Sequence, residues 1–219
     1  MAIDWAATGT WMQAWAGFTQ AGAVAFVGWK GANVFKTWRR QKIEERKMDA
    51  AERILTLTYR LRRAFTVIRS PMMWAGALDA AEKRLREAGV TLDSLPELKR
   101  KNMIYHQAML DRINSFEAEW AEIGAVTPIA AALFGKVVEE QLELLWRQRG
   151  AVAVASESYA DDRGQDNEFT AQLRADMWEG MGKHNGAGDR ITEIIDGVVT
   201  KVEAALLPVL REDAEPRPT

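Results

Sequence analysis

Between Asp4 and Lys30 no side chain carries a charge. This stretch constrains the chain more than any other. A helix over residues 11–29 is roughly 27 Å long at about 1.5 Å per residue, close to the ~30 Å hydrocarbon thickness of a bilayer. Four of the nine tryptophans (Trp5, Trp11, Trp15 and Trp29) fall within the first thirty residues, and amphipathic rings suit a membrane–water boundary. Gln13, Thr19 and Gln20 are polar, and alanine and glycine supply much of the rest. Insertion of a lone helix of this composition is therefore marginal. A cleaved secretory leader fits poorly, because Asp4 stands where a basic start is expected and the basic residues follow the apolar run instead.

Those basic residues are Lys30, Lys36, Arg39, Arg40 and Lys42. Cytoplasmic flanks of membrane helices carry excess lysine and arginine. The expected arrangement is therefore a single-pass segment in a bacterial-type inner (cytoplasmic) membrane, with the amino terminus outside and the rest of the chain in the cytoplasm. Trp11, Trp15 and Trp29 join the five basic side chains as expected interface anchors. Within the segment, Gly17, Ala21 and Ala25 recur every four residues, so one helical face is small, and Gln13 and Gln20 project near it. In lipid, small residues let helices approach closely and side-chain amides bond across the contact. These five residues are the expected site of association with another membrane helix, from a second copy or a helical partner.

Beyond the segment, the net charge of −2 hides an asymmetry. Residues 30–101 hold 18 Lys and Arg against 9 Asp and Glu, whereas residues 102–219 hold 11 against 21. A basic stretch near phosphates reads as a juxtamembrane contact with anionic lipid or as a nucleic-acid contact. Glu44, Glu45, Asp49 and Glu52 interrupt it, which blunts a continuous phosphate track. Membrane lipid is thus the more economical partner.

The fold expected is all-α. A basic juxtamembrane helix spans 31–70, with Ala50, Ala51, Ile54, Leu57, Thr58, Leu61, Phe65 and Ile68 at three- and four-residue steps on one face. Pro71 ends it, since proline disfavours helix at the residue before. An antiparallel helical bundle then fills 71–211. Its helices are expected near 77–88, closed by Gly89; 96–123; 128–149, started by Thr127 and Pro128; 168–179; and 189–207. Residues 150–167 read as a loop, although 151–156 can extend the helix before it. Residues 212–219 read as a disordered tail, and residues 1–30 as the anchor. No stretch shows strand alternation between hairpin turns.

Candidate chemistry is sparse. The chain has no cysteine and only two histidines, His106 and His184, which removes thiolate chemistry and histidine-rich metal sites. The glycines of 181–190 follow no strand, and Lys183 precedes most of them, so a Walker-type phosphate loop is not matched. Asp161, Asp162, Asp166, Asn167 and Glu168 lack the order of a calcium loop and suit a solvated loop in which Asp166 or Asn167 caps a helix. Glu117, Glu119, Glu122, Glu139, Glu140 and Glu143 offer carboxylates to a bundle interior. A di-metal site, however, needs Glu-x-x-His, and Met103 and Met181 stand three residues before the two histidines. No catalytic, cofactor-binding or metal-binding residue is assigned, and the balance lies against an enzyme. The expected function is that of a membrane-tethered helical protein acting through protein–protein interaction or oligomerisation at the cytoplasmic face. The alternative is a soluble oligomeric helical protein, such as a phage-related structural component, whose first helix packs in an interface.

Overall fold

A computed structural model describes the backbone of residues 5–163, 166–184 and 188–211, and the side chains of residue 30 and of residues 34–163, 166–182 and 188–211. The chain divides into two compact units, residues 1–47 and 48–219. All regular structure among the described residues is helical. Among these residues no helix is long and apolar enough to cross a membrane.

The first helix, α1, runs over Trp5–Ile68. Its carboxyl-terminal part supplies one wall of the core of the second unit: Ala51, Ile54, Leu55, Leu57, Leu61, Ala64, Phe65 and Ile68 are buried. Arg53, Arg60, Arg62 and Arg63 take the exposed side, as expected where an apolar stripe of helical period meets a core. The buried Thr58 hydroxyl donates to the Ile54 carbonyl at 2.8 Å, one turn back, so it is satisfied inside the helix. Helix α1 ends just before Ser70 and Pro71, as the proline demands.

Helix α2, Ala75–Glu87, closes at Gly89, whose φ of 83° only glycine adopts without strain. The Gly89 amide donates to Arg86 and the Val90 amide to Leu85, the paired bonds that terminate many helices. A single 3-10 turn, Leu92–Ser94, leads into α3, Glu97–Asn114.

Here the observed breaks depart from the expected ones. Instead of one helix over 96–123 and another from 128, the chain turns at Ser115 and Phe116, resumes as α4, Glu117–Phe134, and turns again at Gly135. At the first break the buried Trp120 indole N–H donates to the Ile113 carbonyl at 2.9 Å. An acceptor freed by ending α3 thus satisfies a donor that would otherwise be buried unpaired. Thr127 does not cap forward. Its hydroxyl donates back to Ile123 at 2.7 Å, and Pro128 is accommodated inside α4. The real punctuation is Gly135, with φ 80° and ψ −175°.

Helix α5, Lys136–Asp161, is longer than expected and continues through Gly150. Val152, Ala155, Ser156 and Ala160 extend the buried stripe of Val138, Leu142 and Leu145 at helical spacing, so burial holds a segment whose composition resembles a loop. Val137 and Trp146, beside that stripe, are exposed; each is one residue, or about 100°, away from a stripe position.

Helix α6, Asn167–Met177, starts where expected, with the Asp166 carboxylate accepting from the Glu168 and Phe169 amides. A short α7, Met181–His184, precedes α8, Arg190–Arg211, which passes through Pro208 rather than ending before it. Ile191, Ile195, Val198, Val202 and Leu206 give α8 a continuous buried face.

Candidate functional site

The feature of α1 within the first unit is an exposed segment that combines aromatic and basic side chains. Val34, Phe35 and Trp38 are 67%, 61% and 53% exposed, and the Phe35 and Trp38 rings lie 5.8 Å apart. At about 100° per residue these three fall within an arc of about 100°, and Lys36, Arg39 and Arg40 take the adjoining arc of about 100°. Lys30 and these three basic side chains are exposed. Lys42, on the aromatic flank, is paired with Glu45 at 2.7 Å. Free large apolar side chains grouped on a charged helix mark a contact surface more than scattered ones do. Of the other expected residues, Trp11, Gln13, Trp15, Gly17, Gln20, Ala21, Ala25 and Trp29 belong to α1, but their side chains lie outside the described residues. So do Lys183, His184, residues 185–187 of the glycine run and the tail 212–219.

Three further constellations belong to the second unit. The first pairs His106 of α3 with Ser156 of α5, Nδ1 to Oγ at 2.9 Å. The two lie 50 positions apart, so no local motif in the sequence joins them. The pair is not arranged as a nucleophile and base. Ser156 is fully buried, and its hydroxyl donates to the Ala153 carbonyl at 2.8 Å, so the histidine donates to the serine oxygen. Burial pushes the His106 pKa below its ordinary value, while Glu157 and Asp161 work in the other direction. A half-buried imidazole whose neutral form is favoured, and which donates to the serine, is the result.

The second constellation is centred on Arg69, just past α1, which is 1% exposed and faces Asp189 at 2%. The guanidinium donates to Asp189 Oδ1 at 2.8 Å, to the Thr192 hydroxyl at 2.7 Å and to the Ala175 and Asp176 carbonyls at 2.9 and 3.2 Å. Asp189 also accepts from the Gly180 and Thr192 amides. Burial raises the Asp189 pKa, but the Gly180 amide, Arg69 and the Thr192 amide together outweigh it and leave the carboxyl below its usual range. Acceptors and donors are matched throughout, so this cluster ties the end of α1 to α6 and the start of α8 rather than presenting reactive groups to a substrate. In the sequence Arg69 is one more charge in a basic run, and nothing marks it as buried.

No known protein family, no curated protein and no solved structure matches this chain.

The third constellation is an apolar groove of about 580 Å³ between α4 and α5, walled by Trp120, Ile123, Gly124, Pro128 and Trp146. The Arg149 guanidinium stacks over the Trp146 ring at 4.9 Å and leaves its Nε buried without a partner. The carboxylates of α4 and α5 are dispersed rather than gathered around an ion. Glu122 pairs with Arg53, Glu140 with Lys136 and Glu143 with Arg147. Among the described residues no three His, Asp or Glu side chains are placed to hold an ion.

Proposed function

We propose that α1 tethers this chain to the inner (cytoplasmic) membrane, and that the second unit acts at the cytoplasmic face through interaction with a helical protein, a second copy included. The observation that carries the reading is the exposed trio Val34, Phe35 and Trp38 beside Lys36, Arg39 and Arg40, next in sequence to 25 uncharged residues, 5–29. Aromatic rings gain at the headgroup level, and each lysine or arginine close to an anionic leaflet contributes about 1 kcal/mol. Because Gln13, Thr19 and Gln20 lower the apolarity of 5–29, insertion would lean on these flanking groups and on pairing through Gly17, Ala21 and Ala25. The groove between α4 and α5, with its tryptophan walls, is the apolar surface that the second unit offers to a partner.

The absence of cysteine makes the topology directly testable by thiol labelling. In spheroplasts, an impermeant maleimide is expected to label Ala2→Cys and to spare Thr200→Cys, an exposed position, until the membrane is opened. Adding Lys36→Gln, Arg39→Gln and Arg40→Gln should lower the fraction labelled at position 2, because the orienting charge is gone. Protection of both positions would favour the rival reading of a soluble oligomer whose first helix packs in an interface.

A further inference from the structure

A recess separate from α1 and from the tryptophan groove gathers side chains from four helices. Lys101 and Tyr105 come from α3, Tyr159 from α5, Arg174 from α6 and Trp178 from the turn after it. Pro71 and Met181 complete the wall, so the lining holds three aromatic rings, two cations and no carboxylate. The Tyr105 and Trp178 rings meet edge to face, with centroids 6.3 Å apart. The Lys101 ammonium sits 5.9 Å from the Tyr105 ring centre, and the Arg174 guanidinium 5.7 Å from that of Tyr159.

These two cations keep aromatic company. Nearby basic side chains find acids: Lys99 pairs with Asp161, Arg84 with Asp111, Arg86 with Asp93 and Arg190 with Asp176. Residues 102–219 hold nearly twice as many acids as bases. Among the described residues, Lys101 and Arg174 nevertheless face rings rather than carboxylates. A cation over an exposed ring is held weakly, Arg174 also donates to the Tyr159 hydroxyl at 3.4 Å, and a charge-assisted bond to an anion is stronger than either contact, so both can turn toward an anionic group. The walls are also set in place. Trp178 is buried, and the Tyr159 carbonyl accepts from the Asn102 amide at 3.0 Å.

Size narrows the class. The recess is about 240 Å³, and a cavity of about 150 Å³ is enough for benzene. Drug-sized ligands occupy roughly 300–1,000 Å³. One ring plus one compact charged group fits. We propose that this recess binds a single-ring aromatic anion, an aryl phosphate or aryl carboxylate, with its ring against Tyr105 and Trp178 and its charge on Lys101 and Arg174.

Titration calorimetry on the full chain, with phenyl phosphate and benzoate as probes and inorganic phosphate and benzyl alcohol as controls, tests this. At least one aryl anion should bind about tenfold or more tighter than either control, and its identity separates phosphate from carboxylate ligands. The double variant Lys101→Gln, Arg174→Gln should lose about tenfold or more of that affinity with an unchanged unfolding midpoint, since both side chains are exposed. The same carrier lipid or detergent in wild type and variant cancels partitioning of the probe. Binding of inorganic phosphate as tight as phenyl phosphate, binding of benzyl alcohol as tight as either anion, no binding by either anion, or a double variant that binds as wild type would each overturn the assignment.

Discussion

Arg69 and Arg62 lie seven residues apart and differ in what surrounds them. Arg62 pairs with Asp196 at 2.9 Å, with both side chains about half exposed, and an exposed ion pair contributes about 0–1 kcal/mol. Removing Arg69 strands the Asp189 carboxylate and several carbonyls without water, and breaking a buried pair from one side costs about 3–5 kcal/mol. Urea unfolding should therefore show Arg69→Ala losing a few kcal/mol and Arg62→Ala less than about one. Equal losses would mean that the buried cluster is not the clasp described. His106 provides a titration at the same scale. Its pKa lies below the ordinary 6.5 because burial disfavours the cation. A folded value below the unfolded one means that its contribution to stability is complete above about pH 6.5 and is lost as pH falls through the folded value. Ring-proton NMR has only two histidines to follow, and His184→Gln leaves one, whose midpoint should fall below 6.5. A midpoint above 6.5 would show that Glu157 and Asp161 dominate instead.

At the scale of elements, glycines and prolines carry the instructive contrasts. Gly135 separates α4 from α5 in a conformation that side chains other than glycine's rarely adopt, yet a Cβ there meets nothing within 4 Å. Gly135→Ala should cost about 1–3 kcal/mol from the backbone alone. Gly150, inside α5 and equally open, should give the opposite sign, with alanine stabilising by about 0.5–1 kcal/mol. Thermal unfolding of the two variants decides the matter, and a neutral Gly135→Ala would contradict the break. These positions also show how far the sequence can be read. The stripe of α1, the glycine close of α2 and the Asp166 cap were legible because each depends on neighbours within about one turn. The breaks in the middle were not. Thr127 and Pro128 look like a helix start, but the packing of Val126 and Ala130 on the core keeps α4 running. Ser115 carries no strong breaker signal, because its break serves a tertiary bond from Trp120 to Ile113.

For the whole molecule, legibility ends where function depends on residues distant in sequence. The charge asymmetry and the uncharged stretch were visible as composition, and the exposure of Val34, Phe35 and Trp38 adds a reason to place α1 at a surface. By contrast, the recess of Lys101, Tyr105, Tyr159, Arg174 and Trp178 draws on several helices, and neither spacing nor motif announces it. The His106–Ser156 and Arg69–Asp189 pairs were hidden for the same reason. The proposed function depends first on α1 holding the protein at a membrane. Fractionation of cells expressing the full chain, and of cells expressing a variant lacking residues 1–28, addresses it most directly when the membranes are washed with high salt and then with carbonate. With α1 as the tether, the full chain stays with the membrane through both washes while the shortened chain is soluble and folded. Recovery of the full chain in the soluble fraction without detergent would contradict it.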